Sequence, residues 1–218
     1  MKFPESQFAK NYLFGLKGVE IGGSAHNSFN FNTINVDRFG SMDTSFKKAE
    51  IKLCGEAMPV DIVALGDQLP FKGNSYDFVI NSHVIEHFFD PVNALKEWLR
   101  VTKKYVLMIV PNMDKTIDKG KVPTSFEELI DRHEGLITHN GSAKHHSFWT
   151  HHSFMRHMEF LAAKLNFKII DSLDPDDKVG NGFIVLLEKN NERKVPRTNI
   201  KKWLIRLKRT WIHEGQRL

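Results

Sequence analysis

One cysteine in 218 residues, Cys54, cannot form an internal disulfide, and such scarcity favours a cytoplasmic setting over an oxidising one. No apolar run approaches the roughly 18 residues that a bilayer-spanning helix requires. The N-terminal stretch MKFPESQFAKNYLFGLKG is broken by Pro4, Glu5, Lys10 and Lys17, so it lacks the uninterrupted apolar core of a signal peptide. A net basic charge is lacking over most of the chain as well. Residues 191–218 hold nine Lys/Arg against two Asp/Glu, so of the net +5 this tail carries about +7 and the rest about −2. A basic nucleic-acid-binding body is not indicated, and no nucleic-acid partner is expected.

What remains fits one domain, residues 1–190, with a sizeable core and an appended tail, 191–218. Gly18-Val19-Glu20-Ile21-Gly22-Gly23 reads as a strand ending in a glycine turn, after an amphipathic lead-in helix. Thr33-Ile34-Asn35-Val36, ending at Asp37, and Asp61–Leu65 read as the next strands. Between Gly23 and Thr33 there is too little chain for a helical crossover, so that connection must be cramped or irregular. Ser45–Met58 reads as a helix, although Gly55 and the like-charged pair Lys47-Lys48 work against it. Phe78-Val79-Ile80 and Tyr105–Val110 are short apolar runs of the kind buried in a parallel sheet. Between them Asp90-Pro91 opens a helix over Val92–Thr102, with Leu95, Trp98 and Leu99 at core-facing spacing.

From Met113 to Thr150 the alternation stops. A helix at Thr124–Arg132 with a Thr124–Glu127 capping box is expected inside this insertion, which suits a lid or a substrate-binding element. Seven of the eleven histidines fall between His133 and His157. Thr150 then caps a helix bearing Phe154, Met158, Leu161 and Leu165, and two strands, Phe167–Ile170 and Phe183–Leu187, are close enough in sequence to pair antiparallel. The fold class expected is α/β: a doubly wound, Rossmann-like, seven-stranded sheet with an antiparallel last strand and a helical insertion after strand 5.

Asp67–Pro91, DQLPFKGNSYDFVINSHVIEHFFDP, is the most informative stretch. Its buried strand turns abruptly polar at Asn81, Ser82, His83, Glu86 and His87, at the sheet edge where ligands bind in open α/β folds. Here the chain resembles the class I S-adenosylmethionine-dependent methyltransferases, in the type 11-like branch. The matching motifs are Gly66-Asp67-Gln68-Leu69-Pro70-Phe71, Ser75-Tyr76-Asp77-Phe78-Val79, His83-Val84-Ile85-Glu86-His87 with Asp90-Pro91, and Arg100-Val101. The resemblance implies S-adenosylmethionine as cofactor. It places Glu20, Gly22 and Gly23 in the first cofactor loop, Asp37 on the ribose hydroxyls, Gly66, Asp67 and Leu69 beside the adenine, and Ser82 and His83 near the sulfonium. The chain departs from the family at Ser24 and His26, which replace loop glycines, and at Thr102-Lys103-Lys104, which replaces a glycine turn. It departs also at Leu65, where relatives carry an adenine-binding Asp, leaving Asp67 or Gln68 as substitutes.

If the acceptor is an alcohol, its proton must be taken, and His83, Glu86 or His87 are the candidate catalytic bases. Their spacing is also that of metal ligands. Some small-RNA and quinone-pathway O-methyltransferases look similar here, which implies a divalent metal held by His83, Glu86, His87 and a distant His145 or His146. Lys144–Thr150 resembles a segment of methyltransferases associated with bacterial surface-glycan synthesis, which implies O-methylation of a sugar or glycan-precursor hydroxyl. The alternative is a catalytically silent member acting as a binding or scaffold subunit. In the tail, Ile200, Trp203, Leu204, Leu207 and Trp211 recur at helical spacing among basic residues, as in a peripheral membrane contact. The sequence assigns no oligomeric state.

Overall fold

Strands that are apolar on both sides need a sheet covered on both faces, and the chain builds one. The computed structural model describes residues 3–23, 26, 28–139 and 144–190. Its strands are β1 (Lys17–Ile21), β2 (Asn32–Asp37), β3 (Ile62–Val63), β4 (Tyr76–Ser82), β5 (Thr102–Pro111), β6 (Phe167–Leu173) and β7 (Gly182–Lys189). They form a single seven-stranded sheet in the order β3-β2-β1-β4-β5-β7-β6. The strands from β1 to β5 pair in parallel, and β7 lies antiparallel between β5 and β6. The doubly wound sheet with an antiparallel last strand is therefore present. Strand order reverses between β1 and β4, and a crevice opens at such a switch point.

Alternate residues of the central strands serve opposite layers. Val106, Met108 and Val110 of β5 pack with Trp98, Leu95 and Phe154, while Leu107 and Ile109 pack with Leu13, Phe29 and Phe78. The first layer is closed by α3 (Pro91–Val101) and α5 (His151–Leu165), with α4 (Phe126–His133) contributing Leu129 and Ile130. The second is closed by α1 (Gln7–Leu13) and by Phe29, from the short connection between β1 and β2, which contains no helix among its described residues.

Local signals set most boundaries. Asp90 accepts the Asn93 N–H at 2.9 Å with Pro91 at the first helical position, and Thr150 and Ser153 form a capping box on α5. Three expectations need correction. The helix α2 (Ser45–Cys54) stops before Met58 because Gly55 takes the left-handed conformation, φ +84°, and ends it. Strand β3 is two residues long because Leu65 leaves the sheet and pairs with Gln68 around a tight turn. The cap of α4 is Ser125, which accepts from Glu128 N–H at 3.1 Å. Thr124 is engaged elsewhere, exchanging two 2.9 Å hydrogen bonds with the backbone of Phe148.

Candidate functional site

Register brings three of the residues expected to bind the cofactor into one row. Ile21 pairs with Val36 on one side and Asn81 on the other, so the next residues, Gly22, Asp37 and Ser82, stand side by side at the carboxyl edge. Gly22 has φ +66°, donates to Val36 O at 2.8 Å, and would place a Cβ 2.9 Å from Val84 Cγ2. Backbone alone fits there. A Cβ on Gly23 would lie 3.0 Å from Asn35 Oδ1, and one on Gly66 would lie 2.9 Å from both Ile21 and Phe88. Gly66 O accepts from the buried Trp98 Nε1 at 2.8 Å, and Leu69 N–H donates to Glu97 Oε1 at 2.8 Å, which fixes the turn that carries Asp67. Asp37 is half-buried and turned by a 2.9 Å hydrogen bond from Phe39 N–H.

Two buried lysines brace this edge. Lys47 Nζ, on α2, donates to Gly23 O at 2.8 Å and Met58 O at 2.6 Å and pairs with Glu50 at 2.9 Å. Lys178 reaches Ser28 O at 3.2 Å, and its charge partly offsets the burial that pushes the Glu20 carboxyl up to about 7. Sequence reasoning missed Lys47 and Lys178, and it placed Asn81 at the ligand edge without giving it a role. Asn81 is fully buried, and neither its Oδ1 nor its Nδ2 has a hydrogen-bond partner among the described residues. An amide ending an otherwise apolar strand was the available signal. Ser82 Oγ, next to it, is likewise buried and unpartnered.

Across the crevice, residues 83–87 do not wind into the α-helix on which a spacing of four would align two ligands. His83 has φ +55°, and Ile85–His87 is a single 3₁₀ turn, so His83 and His87 do not share a helix face. The His83 ring packs edge-on against His26 at 5.0 Å, its Nε2 is buried without a partner, and burial followed by the neighbouring His26 pushes its pKa down to about 3. Glu86 is 1% exposed, and burial pushes its carboxyl up to about 8. His87 donates from Nδ1 to Lys144 O at 2.5 Å, and its pKa is lowered, chiefly by burial.

The insertion is laid against this turn by its backbone. Glu86 O accepts from His146 N–H at 2.7 Å, and Met113 N–H donates to Trp149 O at 2.8 Å. Neighbouring histidines therefore face opposite ways. His145 Nδ1 lies 2.6 Å from Asp118 Oδ2, with its ring edge-on to His87, whereas His146 Nε2 lies 3.2 Å from His139 Nε2 and packs near Phe89. Of the four expected metal ligands, Glu86 and His87 come together with His145, one ligand-type atom of each lying within 4.8 Å of the others. His83 and His146 are not in that group. A cleft of about 490 Å³ opens beside it, lined by His83, Pro111, Lys115, Thr116, Ile117, His145 and Asn181.

Residues 22–110 match the family model of a methyltransferase domain. An uncharacterized protein of Methanocaldococcus jannaschii is 30% identical over 120 residues, which are 54% of this chain and 55% of that one, so the chain spans about half the length of this relative. A solved S-adenosylmethionine-dependent methyltransferase of Thermotoga maritima, described as a possible histamine N-methyltransferase, is 20% identical with a TM-score of 0.50, covering 85% of this chain and 87% of that one. The [4+2]-cyclase SpnF is 13% identical with a TM-score of 0.50, covering 84% and 79%. Residues 22–110 are thus similar to a methyltransferase domain, and the chain shares the fold of a solved S-adenosylmethionine-dependent methyltransferase.

Proposed function

We propose that the protein is an S-adenosylmethionine-dependent methyltransferase acting on a hydroxyl of a sugar or glycan precursor. The observation that carries this reading is the row Gly22, Asp37 and Ser82 at the switch point, within a segment that matches a methyltransferase domain, with the next residue after Ser82, His83, lining a cleft. In this reading Gly22 and Gly23 let the cofactor approach the backbone, Asp37 accepts from the ribose hydroxyls, and Gly66, Asp67 and Leu69 flank the adenine. Ser82 and Asn81 offer their unpartnered groups to the methionyl end. The acceptor oxygen attacks the methyl carbon in line, the S–CH₃ electrons pass to sulfur, and the hydroxyl proton is released. Positioning supplies much of the rate.

Among the three expected bases, His83 alone lines the cleft. A base works best with a pKa near the working pH. At about 3 His83 stays neutral, so it accepts the hydroxyl's hydrogen bond and orients it, and the proton departs to solvent. Glu86, at about 8, stays protonated near neutral pH and cannot take it. Lys115, Thr116 and Asn181 give the cleft the polar lining that a hydroxylated acceptor needs.

A silent binding or scaffold member is favoured by one observation. His26, where relatives have glycine, packs between Phe3 and His83 at 4.9 and 5.0 Å, beside the sulfonium position. The cyclase with the same fold shows that the sheet alone does not fix methyl transfer. Incubation with methyl-labelled cofactor and a panel of saccharides separates the two: label in an alkali-stable methyl ether is expected, and cofactor binding without transfer to any hydroxyl supports the silent member. The tail, 191–218, lies outside the described residues. For it we propose peripheral membrane contact, tested by liposome flotation with and without those residues. Among the described residues no helix is long and apolar enough to cross a membrane.

A further inference from the structure

Beside the cleft, one buried carboxyl group has no hydrogen-bond partner for its side chain among the described residues. Glu86 is 1% exposed, and neither of its oxygens has a hydrogen bond. Such a group is costly unless something compensates it. The two imidazoles next to it are already oriented through their far nitrogens. Lys144 O and the Asp118 carboxylate only accept, so in the neutral rings of His87 and His145 the hydrogen sits on Nδ1 and the lone pair on Nε2. His87 Nε2 stands 3.6 Å from Glu86 Oε1, too far for a hydrogen bond even if Glu86 keeps its proton. The Glu86 carboxyl, which releases its proton when it takes a cation, and two lone-pair nitrogens have ligand-type atoms within 4.8 Å of one another, with no donor from the surrounding residues placed among them.

We propose that Glu86, His87 and His145 bind one divalent transition-metal ion, and that Asp118 orients His145 from behind. A ligating histidine almost always gives its other N–H to a carboxylate or a backbone carbonyl, and both histidines here do so. Two imidazoles with one carboxylate suit Zn²⁺, Co²⁺ or Fe²⁺, whereas Mg²⁺ and Ca²⁺ take oxygen ligands. Three protein ligands leave a coordination position open. His145 also lines the acceptor cleft, and a bound ion there would lower the pKa of an acceptor hydroxyl. That chemical role rests on the methyltransferase reading; the binding itself does not.

The test is a calorimetric titration of the metal-stripped full-length protein with Zn²⁺, with circular dichroism confirming the fold of each variant. One ion per chain is expected for the wild type. His145→Ala and Glu86→Gln should abolish that binding, Asp118→Asn should weaken it about 10–100-fold, and His146→Ala should leave it unchanged. Unchanged binding in His145→Ala, or binding lost in His146→Ala, overturns the assignment, because the exposed His139–His146 pair would then be the site. If Glu86→Gln does not fold, His145→Ala and Asp118→Asn still decide. S-adenosylhomocysteine titrated into the same samples keeps the two readings apart. Zn²⁺ binding without cofactor binding leaves this site standing and removes the methyltransferase; the reverse removes this site alone.

Discussion

The two walls of the crevice are made by different means. The wall proposed for the cofactor is backbone: strand tips in register and glycines at Gly22 and Gly66, where a Cβ would come within 2.9 Å of Val84, Ile21 or Phe88. The wall proposed for the acceptor is side chain: histidines and an aspartate, laid in place by hydrogen bonds from an insertion that reaches back over residues 83–87. A wall of the first kind is tied to the sheet and can change little without unfolding it. A wall of the second kind can exchange residues at small cost in stability, and on the proposed function it is the wall that sets acceptor choice.

That contrast is broken most forcefully at Lys47, which is 1% exposed and binds both Glu50 and the Gly23 carbonyl. Lys47→Met leaves a buried carboxylate uncompensated and should cost about 3–5 kcal/mol in urea denaturation. Adding Glu50→Leu should restore most of the stability while cofactor affinity stays reduced, since the Gly23 contact is still missing. Full recovery of both would show that Lys47 serves the core alone.

Two buried groups, Glu20 at the strand tips and His157 on the helical layer behind the insertion, should respond to pH with opposite signs. Glu20 moves from an ordinary 4.5 to about 7, mainly by burial, so between those values the folded state binds more protons than the unfolded state. Stability is therefore lost as pH rises through that window, by about 3 kcal/mol in full, and Glu20→Gln should remove the loss. His157, on α5 against Phe126 of α4 and beside Arg156, moves from 6.5 down to about 4, chiefly by burial. There the unfolded state takes the proton first, so stability is lost as pH falls from 6.5 toward 4. His157→Phe should recover about 2 kcal/mol at pH 5 and little at pH 8. Thermal melts across pH 4–8 that show the same slope in both variants would remove the distinction.

The smallest expected effect is at Thr124, whose hydroxyl accepts from Phe148 N–H at 2.9 Å. Thr124→Val should cost about 1 kcal/mol and loosen the insertion. Acceptor KM should rise with cofactor affinity unchanged. A matching loss of cofactor affinity would mean that the walls are not independent.

What could be read from the sequence follows the same division. The Asp90-Pro91 helix start, the alternation of β5 and the cramped β1–β2 connection depend on neighbours in the chain, and they stand as expected. Thr124 and Ser125 are adjacent equivalents as caps, and Phe148, far along the chain, decides between them. Lys47 and Lys48 read alike as a charged pair, yet one is buried and the other exposed on Asp43. His145 and His146 are equal in sequence until Glu86 O takes the His146 N–H and turns His145 toward Asp118. Each of these choices is made by a tertiary contact, which no local pattern contains.

The central claim is that the row Gly22, Asp37 and Ser82 holds S-adenosylmethionine or its product. It is tested most directly by titrating S-adenosylhomocysteine into wild type and Asp37→Ala side by side in a calorimeter. One site per chain is predicted for the wild type, with affinity about 10–100-fold weaker once the ribose acceptor is removed. No binding by the wild type up to about 1 mM, or equal affinity in the two proteins, would contradict it.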